Sequence, residues 1–396
     1  MPKPNRVQVD ALIVGGGVAG LWLLDTLHQA GYAACLLTAG DLGAGQTIAS
    51  QGIIHGGTKY TLGLGLESAV TDLAEMPARW RASLDGAEAP DLTAARPLAD
   101  RMHFWVPPQR GGKLLAKASS KLMRGEMRPV AAAERPAGLA TVRGGEMFAL
   151  NEIVIDVPAV LAAFAARHGD RIRQLPAGEQ LAMQETADGV SCEAAGVQIF
   201  ARRVVFTAGA GNEALLARVG LSDIPCQRRP LHQVIIGGMA TALFAHCVGK
   251  SSKPLATITS HPDGAGGQYW YVGGLLAEDG VAQQPAELIA AARPELSRLL
   301  PSVDFSAASW ATYRIDRSEH GGGGGLRPSS AVALSRGAYI IGWPTKLALA
   351  PRLAEQILEL LRQQLPSPTA ADLDGLRALP RPAIAQPPWQ QALAWN

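Results

Sequence analysis

Three glycines near the amino terminus have the spacing of a phosphate-binding turn. In the segment VDALIVGGGVAG, residues 9–20, they follow an apolar strand and open a stretch with helical periodicity. This spacing lets the backbone turn tightly, approach a pyrophosphate closely and pack the helix against the strand. The helix N-terminus would direct its free N–H groups and the positive end of its dipole at the phosphates. The sequence therefore predicts a dinucleotide-binding turn made by Gly15, Gly17, Val18, Ala19 and Gly20.

The elements that must position this turn form a βαβ unit. Residues 9–14, 18–30 and 33–38 have the patterns of a strand, a helix and a strand. An acidic residue about 20 positions after the glycines usually binds the ribose of the adenosine. Here the corresponding residue, at the end of the second strand, is Thr38, which can hydrogen-bond a ribose without the strength of a charge-assisted bond. No arginine neighbours Thr38, so nothing indicates NADP.

Composition narrows the class of protein. Hydrophobic residues make up 47% of the 396 residues and charged residues 18%, which is typical of a globular chain with a sizeable core. A formal net charge of +2 gives no reason to expect nucleic acid as a partner. The four cysteines form no C-x-x-C pair, which predicts reduced thiols and no disulfide framework or zinc site. The amino terminus has no signal-peptide pattern, so we expect a cytoplasmic protein.

Four segments together resemble the FAD-dependent oxidoreductases of the D-amino-acid oxidase superfamily, which includes glycine oxidase, glycerol-3-phosphate dehydrogenase and L-2-hydroxyglutarate dehydrogenase. They are the opening glycine motif, GAGQTIASQGIIHGGTKY (43–60), VVFTAGAGN (204–212) and GWPTKLALAP (342–351). The resemblance covers residues 9–60, 152–167, 204–234 and 310–355. It implies an FAD-dependent dehydrogenase or oxidase acting on CH–OH or CH–NH donors.

The fold class expected is α/β. A Rossmann-like FAD-binding domain would carry an inserted, mainly antiparallel-sheet substrate domain, because residues 231–275 alternate like strands of such a sheet. The predicted domains are 1–66, 151–230 and 321–365 for FAD, 67–150 and 231–320 for substrate, and 366–396 as a Pro-rich C-terminal strap.

The resemblance implies FAD in an extended pose, with its diphosphate on the glycine turn and the loop 46–57 beside the isoalloxazine. Pro344 stiffens a turn before a helix that begins near Thr345, and the dipole of this helix, joined by Lys346, would face the pyrimidine ring. The alternative for Lys346 is a solvated first-turn lysine. Thr38 departs from the family, which normally has Glu there. The further implied FAD contacts are Thr38, Gln46, Thr47, Ser50, Gln51, Gly52, Ala208, Gly209, Gly342, Thr345, Lys346 and Leu347.

Substrates of the family are mostly anions, and an arginine can grip a carboxylate or phosphate bidentately. The segment ending in Arg314, Trp-Ala-Thr-Tyr-Arg, is similar to the one that carries the carboxylate-binding arginine of glycine oxidase. Arg327, in Gly-Leu-Arg-Pro, is the competing candidate. Lys59 stands where glycerol-3-phosphate dehydrogenases have a substrate-side arginine.

An alcohol substrate needs a general base, because its hydroxyl proton must leave with the hydride, whereas an amine can enter neutral. His55, in the loop beside the flavin, and His232, before a substrate-facing strand, are the candidates; the alternative for each is a hydrogen-bonded structural histidine. Tyr269 and Tyr271 share one face of a strand and would line the pocket or simply pack.

Residues 110–128 carry lysines and arginines at helical spacing. Such a basic amphipathic helix would lie on an anionic membrane surface, at the inner face of the membrane, or dock an acidic electron carrier; a solvated lysine face is the alternative. The first interpretation favours a dehydrogenase that reduces a quinone or carrier protein over an oxidase that uses oxygen.

The leading hypothesis is hydride transfer to flavin N5 from a small anionic hydroxy acid, polyol phosphate or amino acid. One alternative is a flavoprotein monooxygenase, against which the last strand ends Gly342-Trp343-Pro344 and not in the Gly-Asp of aromatic hydroxylases. The other is a non-catalytic flavin-binding relative in which Thr38 has weakened the cofactor site.

Overall fold

The strand Arg6–Val14 lies inside an eight-stranded sheet, called the first sheet, and six of its residues form one continuous buried run. A computed structural model describes residues 5–56, 72–108, 127–248, 253–321, 328 and 330–396. Strands buried on both faces are typical of parallel sheets covered by helices, and both neighbours of this strand run parallel to it. In order, the sheet contains Ala182–Thr186, Gly189–Ala194, Val197–Phe206, Arg6–Val14, Ala34–Thr38 and Ile172–Gln174, with Tyr339–Trp343 beside the end of Val197–Phe206 and Val332–Arg336 beside Tyr339–Trp343.

Three helices, Val18–Gln29, Val157–His168 and Ala350–Gln364, contribute to the apolar cluster on one face of the first sheet. The second of them begins at Val157 because the side chain of Asp156 accepts a hydrogen bond from the Ala159 N–H, which is an ordinary N-cap. The helix Asn212–Arg218 belongs to the cluster on the opposite face. The first sheet is therefore covered on both faces, as a Rossmann-like layer requires.

The second sheet also has eight strands and is antiparallel except where Ala245–Val248 pairs with Met102–Val106. The helix Pro285–Leu299 packs its apolar residues on one face of it. In order, the strands are Ser309–His320, Cys226–Met239, Gln268–Gly273, Pro254–Pro262, Ala245–Val248, Met102–Val106, Glu146–Leu150 and Met127–Pro129.

A third sheet contains Ile53–Ile54, Ile153–Ile155 and Pro97–Ala99, and it shares an apolar cluster with strands of the second sheet. The helix Met76–Leu84 packs nearby, and the indole N–H of Trp80 donates to the carbonyl of Ala348 at 3.0 Å. The other helices of the described residues are Leu275–Asp279 and the short 3-10 turns Ala132–Glu134, Ala137–Leu139, Gly209–Gly211, Gly280–Ala282, Leu347–Leu349, Asp374–Ala378 and Pro388–Gln390.

Residues 366–396 cross from one sheet to the other. The hydroxyl of Thr369 donates to Asp10 of the first sheet at 2.8 Å. Farther along, the ring of Trp389 stacks on His261 of the second sheet with 3.8 Å between ring centroids. The tail therefore ties the two sheets together through specific contacts.

The predicted fold class is confirmed: an α/β fold in which a Rossmann-like sheet is joined by a mainly antiparallel one. The domain boundaries stay a prediction, because sheet membership places strands and does not delimit units. In the described part of the chain, no helix combines the length and apolar character needed to cross a bilayer. All four cysteines are free thiols, and burial raises the pKa of Cys35, Cys192 and Cys247 to about 12.

Candidate functional site

The glycine turn is built by close backbone approach. Gly15 has a φ of +129°, and a Cβ there would lie 2.6 Å from the carbonyl of Thr207, at the end of the neighbouring strand. A Cβ on Gly20 would lie 2.1 Å from the carbonyl oxygen of Gly15. Both positions therefore require glycine, and the turn brings the N-terminus of the helix Val18–Gln29 against the ends of two parallel strands.

The helix N-terminus faces a loop that the sequence analysis assigned to FAD. Gly17 caps the helix with extended backbone and offers no side chain to its amides. The Val18 N–H donates instead to the Thr47 hydroxyl at 3.2 Å. The next residue back, Gln46, accepts a hydrogen bond from the Ser318 N–H at 3.0 Å. Two adjacent loop residues thus connect the glycine turn with the strand Ser309–His320 of the second sheet.

Thr38 packs directly on the glycine turn. Its hydroxyl donates to the carbonyl of Gly40 at 2.9 Å, and a Cβ on Gly16 would lie 2.7 Å from that hydroxyl oxygen. The side chain is buried. A side chain at position 16 would clash with Thr38, so Gly16 and Thr38 fit each other sterically.

Asn212 joins two of the segments assigned to the cofactor. Its side-chain oxygen accepts from the Ala208 N–H at 2.8 Å, and its side-chain nitrogen donates to the carbonyl of Gly342 at 3.2 Å. Gly209 has a φ of +58°, which turns the chain between them. Asn212 is buried, and its role could not be predicted from the local sequence, because its partner Gly342 lies 130 positions farther along the chain.

A cavity of about 640 Å³ opens between this loop, the turn before the last helix and the second sheet. Its size is typical of a small-molecule site. Of the predicted cofactor residues, those that line it are Gln46, Ser50, Gln51, Gly52, Thr345, Lys346 and Leu347. Those that lie outside its lining are Gly15, Gly17, Val18, Ala19, Gly20, Thr38, Thr47, Ala208, Gly209 and Gly342.

The turn before the last helix is strained. Thr345 has a φ of +62°, unusual for a β-branched residue, and its hydroxyl donates to the carbonyl of Ser330 at 2.9 Å. Lys346 is buried at the cavity wall, so it is not the solvated lysine of the alternative. The helix expected from Thr345 begins instead as a 3-10 turn at Leu347–Leu349 and becomes α-helical at Ala350, because a residue with positive φ cannot lie inside it.

Arg314 and His232 lie away from the cavity. They are register partners on neighbouring strands, on the face opposite to Ile315 and Leu231, which line it. Arg314 donates to the carbonyls of Val281, at 2.7 Å, and Gln283, and His232 Nδ1 bonds the carbonyl of Gly280 at 3.1 Å. Burial lowers the pKa of His232, which keeps its ring neutral. Both side chains hold the turn after the helix Leu275–Asp279, a structural arrangement that differs from the substrate roles expected for them.

Two other arginines occupy the cavity wall. Arg229 and Arg317 are direct register partners, and both line the cavity. Arg317 lies 3.8 Å from Glu278, and Arg229 lies 3.8 Å from Glu319, which is fully buried. This pair could not be predicted from the sequence, because only the strand register shows that the two residues meet.

Among the described residues that line the cavity, cations exceed carboxylates. Lys253 and Lys346 join the two arginines, whereas Glu278 is the sole carboxylate of that lining. His55 also lines the cavity and is buried. The wall therefore presents an excess of positive charge, which favours an anionic ligand.

Tyr269 and Tyr271 share one face of their strand, yet neither lines the cavity. The hydroxyl of Tyr271 donates to Gln233 at 2.6 Å, and burial raises the pKa of Tyr271 well above its usual value. Lys59 and Arg327 lie outside the described residues, as does the basic segment from position 110 to 126. Their expected roles stay predictions.

The described residues fit an extended dinucleotide. The helix N-terminus at Gly17 has no side-chain cap from its own N-cap residue, as a phosphate-binding end requires. From there the loop through Thr47 and Gln46 leads to a cavity of ligand size, bounded on one side by the start of the last helix and by Lys346. The positive end of that helix and the lysine suit an electron-rich ring.

Comparison with known proteins agrees with this geometry. A family model described as DAO, FAD dependent oxidoreductase, matches residues 10–356. The probable FAD-dependent oxidoreductase PA4991 of Pseudomonas aeruginosa is 43% identical over 403 residues, which span 99% of this chain and 100% of that protein. Its crystal structure superposes with a TM-score of 0.83, covering 98% of this chain and 99% of that one at 39% identity. Glycine oxidase from Geobacillus kaustophilus shares the fold, with a TM-score of 0.62, 17% identity, and coverage of 93% of this chain and 97% of its own.

These matches confirm the resemblance and the FAD cofactor expected from the four sequence segments. The solved structures similar to this chain include one described as having FAD bound, a glycerophosphate oxidase of Mycoplasma pneumoniae with a TM-score of 0.63, 14% identity, and coverage of 93% of this chain and 98% of its own. The chain belongs to the DAO family and is an FAD-dependent oxidoreductase.

Proposed function

We propose that this enzyme oxidises a small anionic substrate, a hydroxy acid, polyol phosphate or amino acid, at a carbon that bears a hydroxyl or an amine. The main support is the pair Arg229 and Arg317. These residues lie opposite each other on two neighbouring strands, and both line the cavity. Guanidinium groups present several donors in a fixed plane and suit a carboxylate or phosphate.

The surroundings of Arg229 favour a bound anionic ligand as its hydrogen-bond partner. Its Nη1 is buried and has no hydrogen-bond partner among the described residues, and the nearest carboxylate, Glu319, is 3.8 Å away. A buried donor without an acceptor is costly. A bound carboxylate or phosphate would supply that acceptor, and it would be held between strands whose positions the sheet fixes.

Bound FAD supplies the acceptor for the hydride. The chain's part is to bind and orient: the arginine pair would hold the anionic end of the substrate, and Lys346 with the start of the last helix would place positive charge at the cofactor's side of the cavity. Of the two histidines considered as bases, His55 alone lines the cavity.

The test is anaerobic titration of the FAD-loaded enzyme with hydroxy acids, amino acids and glycerol phosphates. An anionic compound should bleach the visible absorption of the flavin, and a neutral analogue that lacks the carboxylate or phosphate should not. Bleaching by no anionic compound would refute the proposal. Consumption of NADPH by the same preparation would support the monooxygenase alternative instead.

The electron acceptor is tested on the reduced enzyme. Oxygen and a soluble quinone are added separately, and the rate at which the visible absorption returns is measured. Faster return with oxygen would identify an oxidase, and faster return with the quinone a dehydrogenase.

A further inference from the structure

Three polar side chains form a hydrogen-bonded chain that leads inward from Thr257, a residue of the cavity lining. The hydroxyl oxygen of Thr257 lies 2.9 Å from His246 Nδ1, and His246 Nε2 lies 3.0 Å from a carboxylate oxygen of Glu152. His246 and Glu152 are fully buried, and Thr257 is 6% exposed. Burying an ionisable pair with no solvent contact is costly, so its presence beside a cavity indicates a role beyond packing.

The register of the second sheet places this chain at the cavity. Val234 pairs with Val272, so the preceding Gln233 lies opposite Gly273. Gly273 pairs with Thr257, and Thr257 pairs with His246. Side chains in one such row lie on the same face of a sheet. Because Gln233 and Thr257 both line the cavity, the hydroxyl of Thr257 lies on the cavity face, and His246 lies behind it.

The capacity of each group to donate or accept a hydrogen bond indicates which atom carries each proton in this hydrogen-bonded chain. When Glu152 is ionised, its carboxylate only accepts hydrogen bonds, so in that state His246 Nε2–H donates to it. His246 Nδ1 then carries no proton and accepts one from the Thr257 hydroxyl. The second carboxylate oxygen of Glu152 is buried without a hydrogen-bond partner among the described residues, so little stabilises the negative charge, which favours uptake of a proton from His246 at the bonded oxygen.

We propose that Thr257, His246 and Glu152 form a proton relay that deprotonates the substrate, a proposal that rests on the proposed function. The substrate's O–H or N–H bond breaks, and its electron pair forms the new C=O or C=N bond. The proton passes to Thr257 Oγ1, which gives its own proton to His246 Nδ1, and His246 gives its Nε2 proton to Glu152. In the loaded enzyme, FAD would accept the hydride, with its two electrons, from the carbon that bears this oxygen or nitrogen, so that the substrate is oxidised and the cofactor reduced.

A purely structural account of the same contacts is that they fasten neighbouring strands. Only the relay requires the Thr257 hydroxyl to transfer a proton. A structural network tolerates an isosteric methyl group after a modest loss of stability, whereas a relay needs an atom that accepts and donates a proton. Thr257→Val and Thr257→Ser therefore form a matched pair: both keep the backbone pairing, and only the serine keeps the hydroxyl.

The first measurement uses the oxidised FAD-loaded enzyme without substrate. The imidazole nitrogens of ¹⁵N-histidine-labelled protein are observed by NMR, and the His246 signals are assigned by their change in Thr257→Val. The relay requires a protonated Nε2 and an unprotonated Nδ1. A protonated Nδ1 in the neutral ring would overturn the proposal, because Thr257 could not pass its proton inward.

The second measurement is the anaerobic rate of flavin reduction at saturating substrate, using the anion found by titration. Thr257→Val and Glu152→Gln should lower this rate on the order of 100-fold, the usual size of general base catalysis. Thr257→Ser should retain most of the wild-type rate of flavin reduction. Substrate Kd and FAD content should stay near wild type in all three variants.

The outcomes separate the two proposals. An unchanged rate in Thr257→Val, or a collapse of the rate in His55→Asn alone, would overturn the relay and leave the proposed function intact. If no anionic compound reduces the wild-type flavin, the proposed function fails and the proton-transfer role fails with it. The NMR result then still decides whether the hydrogen-bonded chain has the stated proton order.

Discussion

Arg314 and Arg317 lie three residues apart on one strand and serve opposite faces of the second sheet. Arg317 lines the cavity, whereas Arg314 holds the carbonyls of Val281 and Gln283. The alternation of side chains along a strand produces this difference. The odd or even position of an arginine along this strand therefore decides whether it reaches the cavity.

This relationship predicts the effect of three substitutions. Arg229→Gln and Arg317→Gln should each raise the Kd of an anionic substrate about 10- to 100-fold, because each removes a charged hydrogen bond of about 1.5–3 kcal/mol. Arg314→Gln should lower thermal stability and leave substrate Kd nearly unchanged. Anaerobic titration of the flavin absorption measures Kd. A larger effect at Arg314 than at Arg317 would return the substrate role to Arg314.

Gly20→Ala should abolish FAD retention and destabilise the fold by about 2 kcal/mol or more, because its Cβ would meet the carbonyl oxygen of Gly15 at 2.1 Å. Gly40→Ala is the matched control: a Cβ there has nothing within 4 Å. FAD content per chain and the melting temperature check both. Equal losses in the two variants would show that the close approach at the turn is not the cause.

The pH dependence of stability should include a contribution from His261. Burial lowers the pKa of His261 from its ordinary value of 6.5 to about 3. The unfolded chain therefore takes up a proton between pH 6.5 and 3 that the folded chain does not, so this contribution is complete above pH 6.5 and is lost as the pH falls. At about 1.4 kcal/mol per pKa unit, the loss reaches roughly 2–3 kcal/mol near pH 4.5.

His261→Phe keeps an aromatic ring to stack on Trp389 and removes the titrating group. Urea unfolding at pH 7.5 and pH 4.5 should show a smaller acid-induced loss of unfolding free energy in this variant than in wild type. The same loss in both proteins would place the acid sensitivity elsewhere.

The C-terminal tail should stabilise the whole molecule mainly through Trp389. This side chain is 6% exposed and contacts His261 and Tyr271, so Trp389→Ala should cost about 3–5 kcal/mol. Trp395, 36% exposed, is the control, and Trp395→Ala should cost under about 1 kcal/mol. Urea unfolding measures both. Similar losses of unfolding free energy in the two variants would mean that the burial of Trp389 does not explain how the tail stabilises the second sheet.

Local patterns predicted much of the fold. The glycine turn depends on residues within one βαβ unit, and its backbone contacts with Thr207 lie where parallel strands must end together. The cavity-lining residues Gln46, Ser50 and Gln51 share that locality, since they follow the same unit along the chain.

The residues proposed to act on the substrate could not be predicted from local patterns. Arg229 and Arg317 are 88 positions apart and meet only through a long-range strand register, in which a slip by one residue would exchange the faces. Glu152 and His246 are likewise separated by 94 positions. The positive φ of Thr345 also leaves no trace in its residue type, because threonine seldom adopts it.

The hydrogen bonds of the adjacent residues Gln46 and Thr47 imply a thermodynamic link between the binding of FAD and the binding of substrate. Thr47 holds the first amide of the phosphate-facing helix, and Gln46 holds the amide next to Arg317. A shift of this loop on loading with FAD would therefore move the strand that carries Arg317, the arginine proposed to bind the anion. Such linkage is reciprocal: whatever factor FAD adds to the affinity for substrate, substrate must add to the affinity for FAD.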